Sequence, residues 1–330
     1  MMIQHATGMI RKASTALLLL LVIHSPGSGQ ESSEADRPLK PPKGYRSETM
    51  LKAAYALGFL DLIDREPPVP SNIRAWKDIV YKEVDTITLK LDIYRKTELK
   101  DPAPILIFIH GGSWSGGERS DYLPYLIDYA EKGYVTVTVS YRLSGVAQYP
   151  AAVEDVKCAV KWIRSHAEAY SIDPERIALV GGSAGGHLAM MVAYADEKVF
   201  GGACNNGTGE KVKAIVNLYG PADLTSEDAR NHSKVRQFLG KGYQDAPELY
   251  RISSPRTHIS RDDPPTLIFH GTLDSTVPVG QSDSLHRWLN IAGVPNEYHR
   301  LKGWPHTMDL SQKVNAYCQY YMDAFFKEHL

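Results

Sequence analysis

Short apolar runs alternate with segments of helical period through most of this chain. Five runs are mostly apolar or β-branched and predict strands covered on both faces, at 105–109, 135–139, 177–180, 214–218 and 266–269. Segments of helical period lie between them, notably 151–170 and the stretch that follows Ser183. This alternation predicts an α/β fold in which helices cover both faces of a mostly parallel central sheet.

Weaker patterns extend this architecture towards both ends of the chain. Alternating apolar and polar residues at 79–84 and 86–94 predict two antiparallel strands at one edge of the sheet, and 294–301 predicts its last strand. Apolar residues at helical spacing predict a helix over 47–65, with Ser47 as its N-cap and three prolines after it.

The first 29 residues have the pattern of a secretory signal peptide. Arg11 and Lys12 precede a short apolar stretch at 13–23, and small residues follow it. This stretch is well short of the roughly 20 apolar residues that a membrane span needs, so no stable membrane anchor is expected. The sequence therefore predicts a secreted or periplasmic protein.

Domain boundaries follow from these patterns. We expect a signal peptide at 1–29, a leader with an N-terminal helix at 30–75, and one α/β domain at 76–330. The segment at about 221–261 is longer than a simple crossover requires and indicates a small helical cap. Its two helices are expected around 233–239 and 247–251.

Charge and cysteine content narrow the function. Lys and Arg number 37 against 38 Asp and Glu, and no long basic block is present, so nothing favours a nucleic acid as a partner. The three cysteines, Cys158, Cys204 and Cys318, form neither a disulfide framework nor a metal site by their spacing. In an exported protein Cys158 could pair with Cys204, since both are expected near helices on the same side of the sheet. Three buried thiols fit the sequence equally well.

The strand at 177–180 runs into a Gly-x-Ser-x-Gly turn centred on Ser183. Glycines on both sides of the serine remove the side chains that would clash in so tight a turn from strand to helix. The turn would hold the Ser183 oxygen above the sheet, at the amino end of the next helix, where free N–H groups stabilise a developing anion. Ser183 is therefore the predicted nucleophile.

A second glycine-rich loop, His110–Gly117, follows the strand at 105–109. Successive glycines allow the backbone to turn its N–H groups inwards with no side chain in the way. Together with the N–H of Ala184, the N–H groups of this loop could hold the oxyanion of a tetrahedral intermediate.

An aspartate and a histidine follow Ser183 in the order that a catalytic triad on this strand pattern requires. Asp274 comes just after the strand at 266–269, where its carboxylate can orient an imidazole, and His306 lies in the loop after the last strand. Asp262 and Asp263 are expected at the opposite end of their strand, and Asp283 and Asp309 on helix surfaces. Structural or surface roles are expected for five other histidines, His110, His187, His270, His286 and His299.

These motifs resemble those of the α/β-hydrolase superfamily, and more narrowly those of the bacterial carboxylesterases related to hormone-sensitive lipase. The likeness is greatest to the branch that groups feruloyl esterases with acetyl-xylan esterases. It runs from about residue 78 to the C-terminus. Five stretches carry it: His110–Gly112, Tyr141–Leu143, Pro150–Val156, Gly181–Gly185 and His270–Asp274.

The resemblance implies a triad of Ser183, Asp274 and His306 and an oxyanion hole around Gly112 and Ser113. It also implies a structural role, in tying a strand end to the next helix, for Tyr141, Arg142 and Asp155.

Two departures from the family pattern bear on the pocket. Ser113 stands where many relatives have a third glycine or an alanine, and Trp304 and Pro305 precede the histidine in place of a short Gly-rich turn. Trp304 is therefore expected to shape the leaving-group side of the pocket. Trp114 and Tyr219 are the other aromatic candidates for contact with the substrate, and packing in the core suits all three residues equally well.

The expected reaction is ester hydrolysis through an acyl-enzyme, with no metal and no organic cofactor. By analogy with the family, the substrate is a small or polysaccharide-linked ester of a short-chain or aromatic acid, such as an acetyl or feruloyl group. Two other functions stay open: a serine amidase or peptidase of the same fold, and a hydrolase-like binding protein without catalysis. The sequence does not predict an oligomeric state.

Overall fold

A mostly parallel sheet lies at the centre of the described part of the chain. The structure, a computed structural model, describes residues 38–196, 200, 204, 209 and 211–330. The expected signal peptide at 1–29 and the first part of the leader lie outside these residues. Within them, no helix is long and apolar enough to cross a membrane.

Eight strands form this sheet within the described residues. They are β1 (Ile73–Val84), β2 (Ile87–Lys96), β3 (Ala103–Ile109), β4 (Val135–Val139), β5 (Ile172–Gly182), β6 (Ala214–Leu218), β7 (Thr266–Gly271) and β8 (Asn296–Leu301). Their order is β1-β2-β4-β3-β5-β6-β7-β8. β2 is antiparallel to both its neighbours, and all other neighbours are parallel. The predicted α/β fold class is therefore confirmed.

Helices cover both faces of the sheet. They are α1 (Glu48–Ala56), α2 (Leu123–Glu131), α3 (Ala151–Ser165), α4 (Ala184–Tyr194), α5 (Glu227–Asn231), α6 (Ser233–Leu239), α7 (Pro247–Ile252), α8 (Gly280–Ala292) and α9 (Gln312–His329). α3, α4 and α8 contribute to the apolar core on one face, and α2 and α9 to the core on the other. Short 3₁₀ turns lie at Arg119–Tyr122, Glu168–Tyr170, Pro255–His258 and Met308–Leu310.

The N-terminal helix is shorter than predicted. Ser47 caps it as expected, because its hydroxyl accepts a hydrogen bond from the N–H of Met50. The helix ends at Ala56, however, and not near Arg65. Gly58 follows with a φ of 72°, a left-handed conformation that ends the helix and redirects the chain.

The chain beyond α1 packs against the segment that precedes α9. Leu62 forms a β-bridge with Ser311, and the N–H of Ile63 donates to the carbonyl of Leu310 at 2.9 Å. This N-terminal segment therefore belongs to the same compact unit as the sheet, which spans Leu39–Leu330.

Three short helices occupy the segment at 221–261, where a cap with two helices was predicted. α6 and α7 coincide with the predicted helices, and α5 was missed. Phe238 of α6 is buried and stacks on Trp114 of the loop after β3, with 4.5 Å between the ring centroids. The segment is thereby joined to one of the two glycine-rich loops.

Asp155 on α3 has the tying role that the resemblance implied. Its fully buried carboxylate accepts hydrogen bonds from the guanidinium of Arg142 at 2.7 and 2.8 Å and from the Lys82 ammonium at 2.6 Å. The neighbouring Tyr141 hydroxyl donates to the carbonyl of His110 at 2.9 Å. These contacts join the end of β4 to α3 and to the loop after β3.

The cysteines resolve into a pair and a single thiol. Cys158 on α3 forms a disulfide with Cys204, so pairing is the alternative that the structure adopts. Cys318 on α9 is a buried free thiol.

Candidate active site

β5 passes into α4 through a turn in which Ser183 is the only residue outside both elements. Its φ of 54° and ψ of −123° form a combination that residues with a side chain rarely adopt. A Cβ at Gly181 would collide with the backbone of Gly185, and a Cβ at Gly185 would collide with the carbonyl of Ile109. The glycines therefore permit the close approach of strand and helix that the turn requires.

The structure brings the three predicted triad residues into hydrogen-bond contact. Nε2 of His306 lies 2.9 Å from the Ser183 hydroxyl, and Nδ1 of His306 lies 2.6 Å from Oδ2 of Asp274. The other carboxylate oxygen of Asp274 accepts from the N–H groups of Thr276 and Val277 at 2.9 and 2.8 Å. With Asp274 ionised, Nδ1 of the imidazole carries a proton and Nε2 is free to accept one from the serine.

Asp274 is buried yet held in its charged form. Burial alone would raise the pKa of this carboxyl, but hydrogen bonds from His270 and His306 outweigh that effect and hold its pKa well below the usual range. His270 shares the carboxylate at 3.0 Å and contacts the Ser282 hydroxyl at 2.7 Å through its other nitrogen. The expected structural role of His270 is therefore to orient the acid of the triad.

The loop after β3 carries the N–H groups of the predicted oxyanion hole. Gly112 and Ser113 have φ angles of 100° and 53°, and a Cβ at Gly112 would collide with the backbone of Gly116. In the described part of the chain, the N–H groups of Gly112, Ser113 and Ala184 donate to no other residue. Such donors beside the nucleophile can bind an oxyanion.

Two cavities of different chemistry meet at Ser183. The smaller has a volume of about 40 Å³ and mostly apolar walls, formed by Trp114, Ala184, Ala229, Val235, Val277 and Pro278. The larger has a volume of about 320 Å³ and includes His306. Its walls carry hydroxyl and charged groups from Arg65, Asp121, Tyr122, Tyr125, Tyr219 and Asp309.

Two of the three aromatic residues expected to contact substrate line these cavities. Trp114 belongs to the smaller cavity and Tyr219 to the larger. Trp304 lines neither: it is 1% exposed, and its indole N–H donates to the carbonyl of Pro42 at 2.9 Å. The expectation for Trp304 is corrected, because its indole packs beneath the N-terminal segment and away from the leaving-group side.

Asp309 is a second correction. It was expected on a helix surface, but it is 3% exposed and lies in the 3₁₀ turn just after His306. The Tyr219 hydroxyl donates to its Oδ1 at 2.6 Å and the Tyr125 hydroxyl to its Oδ2 at 3.4 Å. Thr307, with a φ of 54°, has a left-handed backbone between His306 and this turn.

Sequence reasoning also missed the polar walls of the larger cavity. Arg65 of the N-terminal segment pairs with Asp121 at 2.8 Å. Tyr122 ends the 3₁₀ turn before α2, and Tyr125 lies in the first turn of α2. No motif marks these positions. Asp121, Tyr122 and Tyr125 have one signal, the aromatic and polar sequence that follows the glycine-rich loop, and Arg65 has none. Within the described residues, no group of three or more His, Cys, Asp and Glu side chains could hold a metal ion.

His187 and His110 have the structural roles that were expected. The Trp114 indole N–H donates to Nδ1 of His187 at 3.2 Å, so Nε2 carries the proton and donates to the Ser253 carbonyl at 2.8 Å. Burial lowers the pKa of His187 to about 4, which keeps the ring neutral. His110 is buried and stacks on Tyr141, with 4.3 Å between the ring centroids.

A protein-family comparison matches residues 91–289 to the BD-FAE family. The matched region runs from β2 into α8, and so contains the Ser183 turn and Asp274 but ends before His306.

Curated relatives include two proteins of Mycobacterium tuberculosis. The esterase LipQ is 32% identical over 290 residues, which make up 83% of this chain and 66% of LipQ. The probable carboxylic ester hydrolase LipM is 35% identical over 250 residues, which make up 72% of this chain and 57% of LipM. The chain thus spans between 57% and 66% of the length of these two relatives.

Solved structures of esterases have the same fold. A truncated form of a carbohydrate esterase from gut microbiota superimposes with a TM-score of 0.70 at 25% identity, over 80% of this chain and 99% of that one. The butyrate-bound esterase Est2 of the Planctomycetes species Thermogutta terrifontis gives a TM-score of 0.67 at 28% identity, over 78% of this chain and 94% of that one.

Proposed function

The chain belongs to the BD-FAE family and has the α/β-hydrolase fold, and from this premise we propose that it is a serine carboxylesterase that removes short acyl groups from hydroxyl-rich alcohols. The observation that carries the proposal is the 2.9 Å contact between Nε2 of His306 and the Ser183 hydroxyl, where two cavities of different chemistry meet. Relatives named as esterases and a structural neighbour named as a carbohydrate esterase support it.

In the proposed reaction Ser183 attacks the ester carbonyl while His306 takes the hydroxyl proton. Asp274 holds the imidazole in the tautomer that can accept this proton at Nε2 and stabilises the imidazolium that forms. The N–H groups of the predicted oxyanion hole bind the carbonyl oxygen as it becomes negative. His306 then protonates the leaving alcohol, and water releases the acid from the acyl-serine by the same sequence of proton transfers.

The leaving alcohol belongs in the larger cavity. His306 must reach the leaving oxygen to protonate it, and of the two cavities only the larger is lined by His306. The Arg65–Asp121 pair supplies hydrogen-bonding groups there. A sugar hydroxyl as leaving group fits this wall chemistry, so we extend the proposal to acyl groups linked to polysaccharide.

The acyl group then occupies the smaller cavity. By the same measure the smaller cavity offers about 40 Å³ and the larger about 320 Å³, so the smaller one favours a compact acyl group over one with an aromatic ring. Trp114, Val235 and Val277 close the apolar walls. Acetyl is therefore the acyl group that we propose, in preference to feruloyl. Export of the enzyme, proposed from the pattern of residues 1–29, is compatible with a polymeric substrate.

The test is a hydrolysis series with the wild type, Ser183→Ala and a matched Ser284→Ala on α8, outside both cavities. The substrates are p-nitrophenyl acetate, butyrate and octanoate, methyl ferulate, acetylated xylan and an acetanilide. Ser183→Ala should lower kcat at least about 10⁴-fold, while Ser284→Ala leaves it unchanged. The kcat/KM of the wild type should fall from acetate to octanoate, and Val235→Ala should reduce that fall by enlarging the acyl cavity.

Three results would contradict parts of this proposal. Anilide turnover above ester turnover would move the assignment to an amidase or peptidase. A preference for ferulate over acetate would overturn the acyl-cavity assignment alone. A folded protein without Ser183-dependent turnover, and without labelling by a fluorophosphonate probe, would favour a binding protein.

A further inference from the structure

A buried carboxylate lies three residues after His306, and the proposed reaction does not use it. Asp309 is 3% exposed and lines the larger cavity. Both its oxygens accept hydrogen bonds from tyrosine hydroxyls, at 2.6 Å from Tyr219 and 3.4 Å from Tyr125. Across the described ranges, no Lys, Arg or His side chain forms an ion pair with it. A carboxylate buried without a cation is costly, so its presence beside the site needs an explanation.

Tyr219 connects this carboxylate to the imidazole of the triad. The ring centroids of Tyr219 and His306 lie 4.7 Å apart, with the ring planes at 62°. Tyr219 has a φ of 47°, which is unfavourable for an aromatic residue, and its N–H donates to the carbonyl of Phe269 at 2.8 Å. Its strained backbone is thus fixed by Phe269, and its hydroxyl is fixed by Asp309.

Charged and titratable groups from several elements face His306 and Asp309. Asp274 contacts His306 at 2.6 Å and is shared with His270. The titratable and charged groups that face Asp309 from other elements are Tyr122 and Tyr125 near α2, Tyr219 after β6, Cys318 on α9, and the Arg65–Asp121 pair across the cavity. Burial raises the pKa of the Asp309 carboxyl above its usual value, and the Tyr219 hydrogen bond and the charge of His306 offset part of that rise and so favour the carboxylate.

We propose that Asp309 is a positioning residue of the proposed esterase, which holds the Tyr219 ring against His306 and places a second negative charge near the imidazolium. The inference rests on the proposed function, because the charge matters only if His306 becomes protonated during turnover. Asp274 compensates the imidazolium directly at Nδ1. Asp309 acts on the imidazolium through space, and the imidazolium in turn favours the ionised form of Asp309.

The test compares the pH dependence of kcat/KM for p-nitrophenyl acetate in three variants. Asp309→Asn keeps the shape of the side chain but removes its charge. A negative charge nearby favours a protonated imidazole, so its removal should move the acid limb to lower pH by about 0.5 to 1 unit and lower kcat about 3- to 10-fold. Tyr219→Phe removes the 2.6 Å donor, which should make the carboxylate take up a proton and shift the limb in the same direction.

Asp283→Asn is the matched control. This carboxylate accepts a hydrogen bond from the Tyr298 hydroxyl at 2.9 Å, but it lies on α8 and lines neither cavity, so the acid limb should stay in place. If Asp309→Asn and Tyr219→Phe are active and the acid limb of their pH profiles does not shift, the inference is overturned. Ser183-dependent turnover would still leave the proposed function intact. If Asp309→Asn does not fold, the acid limb of the Tyr219→Phe pH profile tests the inference in its place. A wild type without Ser183-dependent turnover would overturn the proposed function instead.

Discussion

Asp155→Asn should destabilise the fold strongly, because Asp155 compensates two cations in the interior. The side chains of Asp155, Lys82 and Arg142 are 0%, 6% and 12% exposed. The carboxylate accepts four hydrogen bonds, at 2.6 Å from Lys82, at 2.7 and 2.8 Å from the Arg142 guanidinium, and at 2.9 Å from the Arg142 N–H. Asparagine keeps the volume of the side chain but removes the charge, and only one of its two terminal atoms can accept.

The size of the effect follows from the burial of the cluster. Removal of one partner from a buried ion pair costs about 3–5 kcal/mol, since the remaining charge is left without compensation. Two cations lose their partner here, which increases the cost. The partial exposure of Arg142 and its second contact with Glu154 at 3.5 Å reduce it. For a chain of this size, a loss of this order lowers the thermal midpoint by roughly 5–8 °C.

Urea unfolding followed by far-UV circular dichroism measures this loss, with Asp173→Asn as the matched control. Asp173 pairs with Arg176 at 2.6 Å, but the two side chains are 28% and 39% exposed. The loss in this control should stay below about 1 kcal/mol, because solvent screens an exposed pair. Equal losses in the two variants would refute the reasoning that burial, and not the ion pair as such, determines the cost.

The disulfide and a buried histidine supply the remaining predictions. Combined Cys158→Ala and Cys204→Ala should cost about 4 kcal/mol, because the bridge joins residues 46 positions apart; calorimetry checks this, and an unchanged midpoint would contradict it. Burial lowers the pKa of His187 to about 4, so the folded protein holds this ring neutral. The stability that depends on the neutral ring is complete above about pH 6.5, where the unfolded chain is also neutral, and is lost as the pH falls to about 4. His187→Asn should therefore flatten the acid-side fall in unfolding free energy by up to about 3 kcal/mol, and an equally steep fall in the variant would argue against this.

The sheet could be predicted because its central strands are short, apolar and covered on both faces. β4 and β6 begin and end at the predicted residues. β1 and β5 start several residues earlier than predicted, at Ile73 and Ile172. Their first residues pair with the neighbouring strands through the backbone, whereas many of their side chains are polar and give no strand pattern. The N-terminal helix was predicted too long because apolar spacing continues past Gly58, whose left-handed conformation ends it.

The meeting of Ser183, Asp274 and His306 could also be predicted, since their strands end at the same edge of the sheet. β5, β6, β7 and β8 are successive parallel neighbours, so the loops that follow β5, β7 and β8 lie close together. The two side chains misplaced by sequence reasoning, Trp304 and Asp309, flank His306 in one loop. Gly303 and Thr307 there have φ angles of 80° and 54°, so residue spacing does not determine which side chains point inwards.

The distribution of backbone strain explains why the walls of the site were harder to predict than its chemistry. Eight non-glycine residues in the described ranges have a positive φ, and five of them line the two cavities: Ser113, Trp114, Ser183, Tyr219 and Thr307. Each such conformation costs of order 1–3 kcal/mol and persists only where surrounding contacts enforce it. Serine, tryptophan, tyrosine and threonine do not favour a positive φ, so the local sequence does not predict this conformation. The contacts that enforce it come from distant parts of the chain, and the Tyr219–Asp309 hydrogen bond, between residues 90 positions apart, is one of them. A site built in this way reveals its nucleophile and its triad order in sequence motifs, whereas its cavity walls emerge only when the strand ends are brought together.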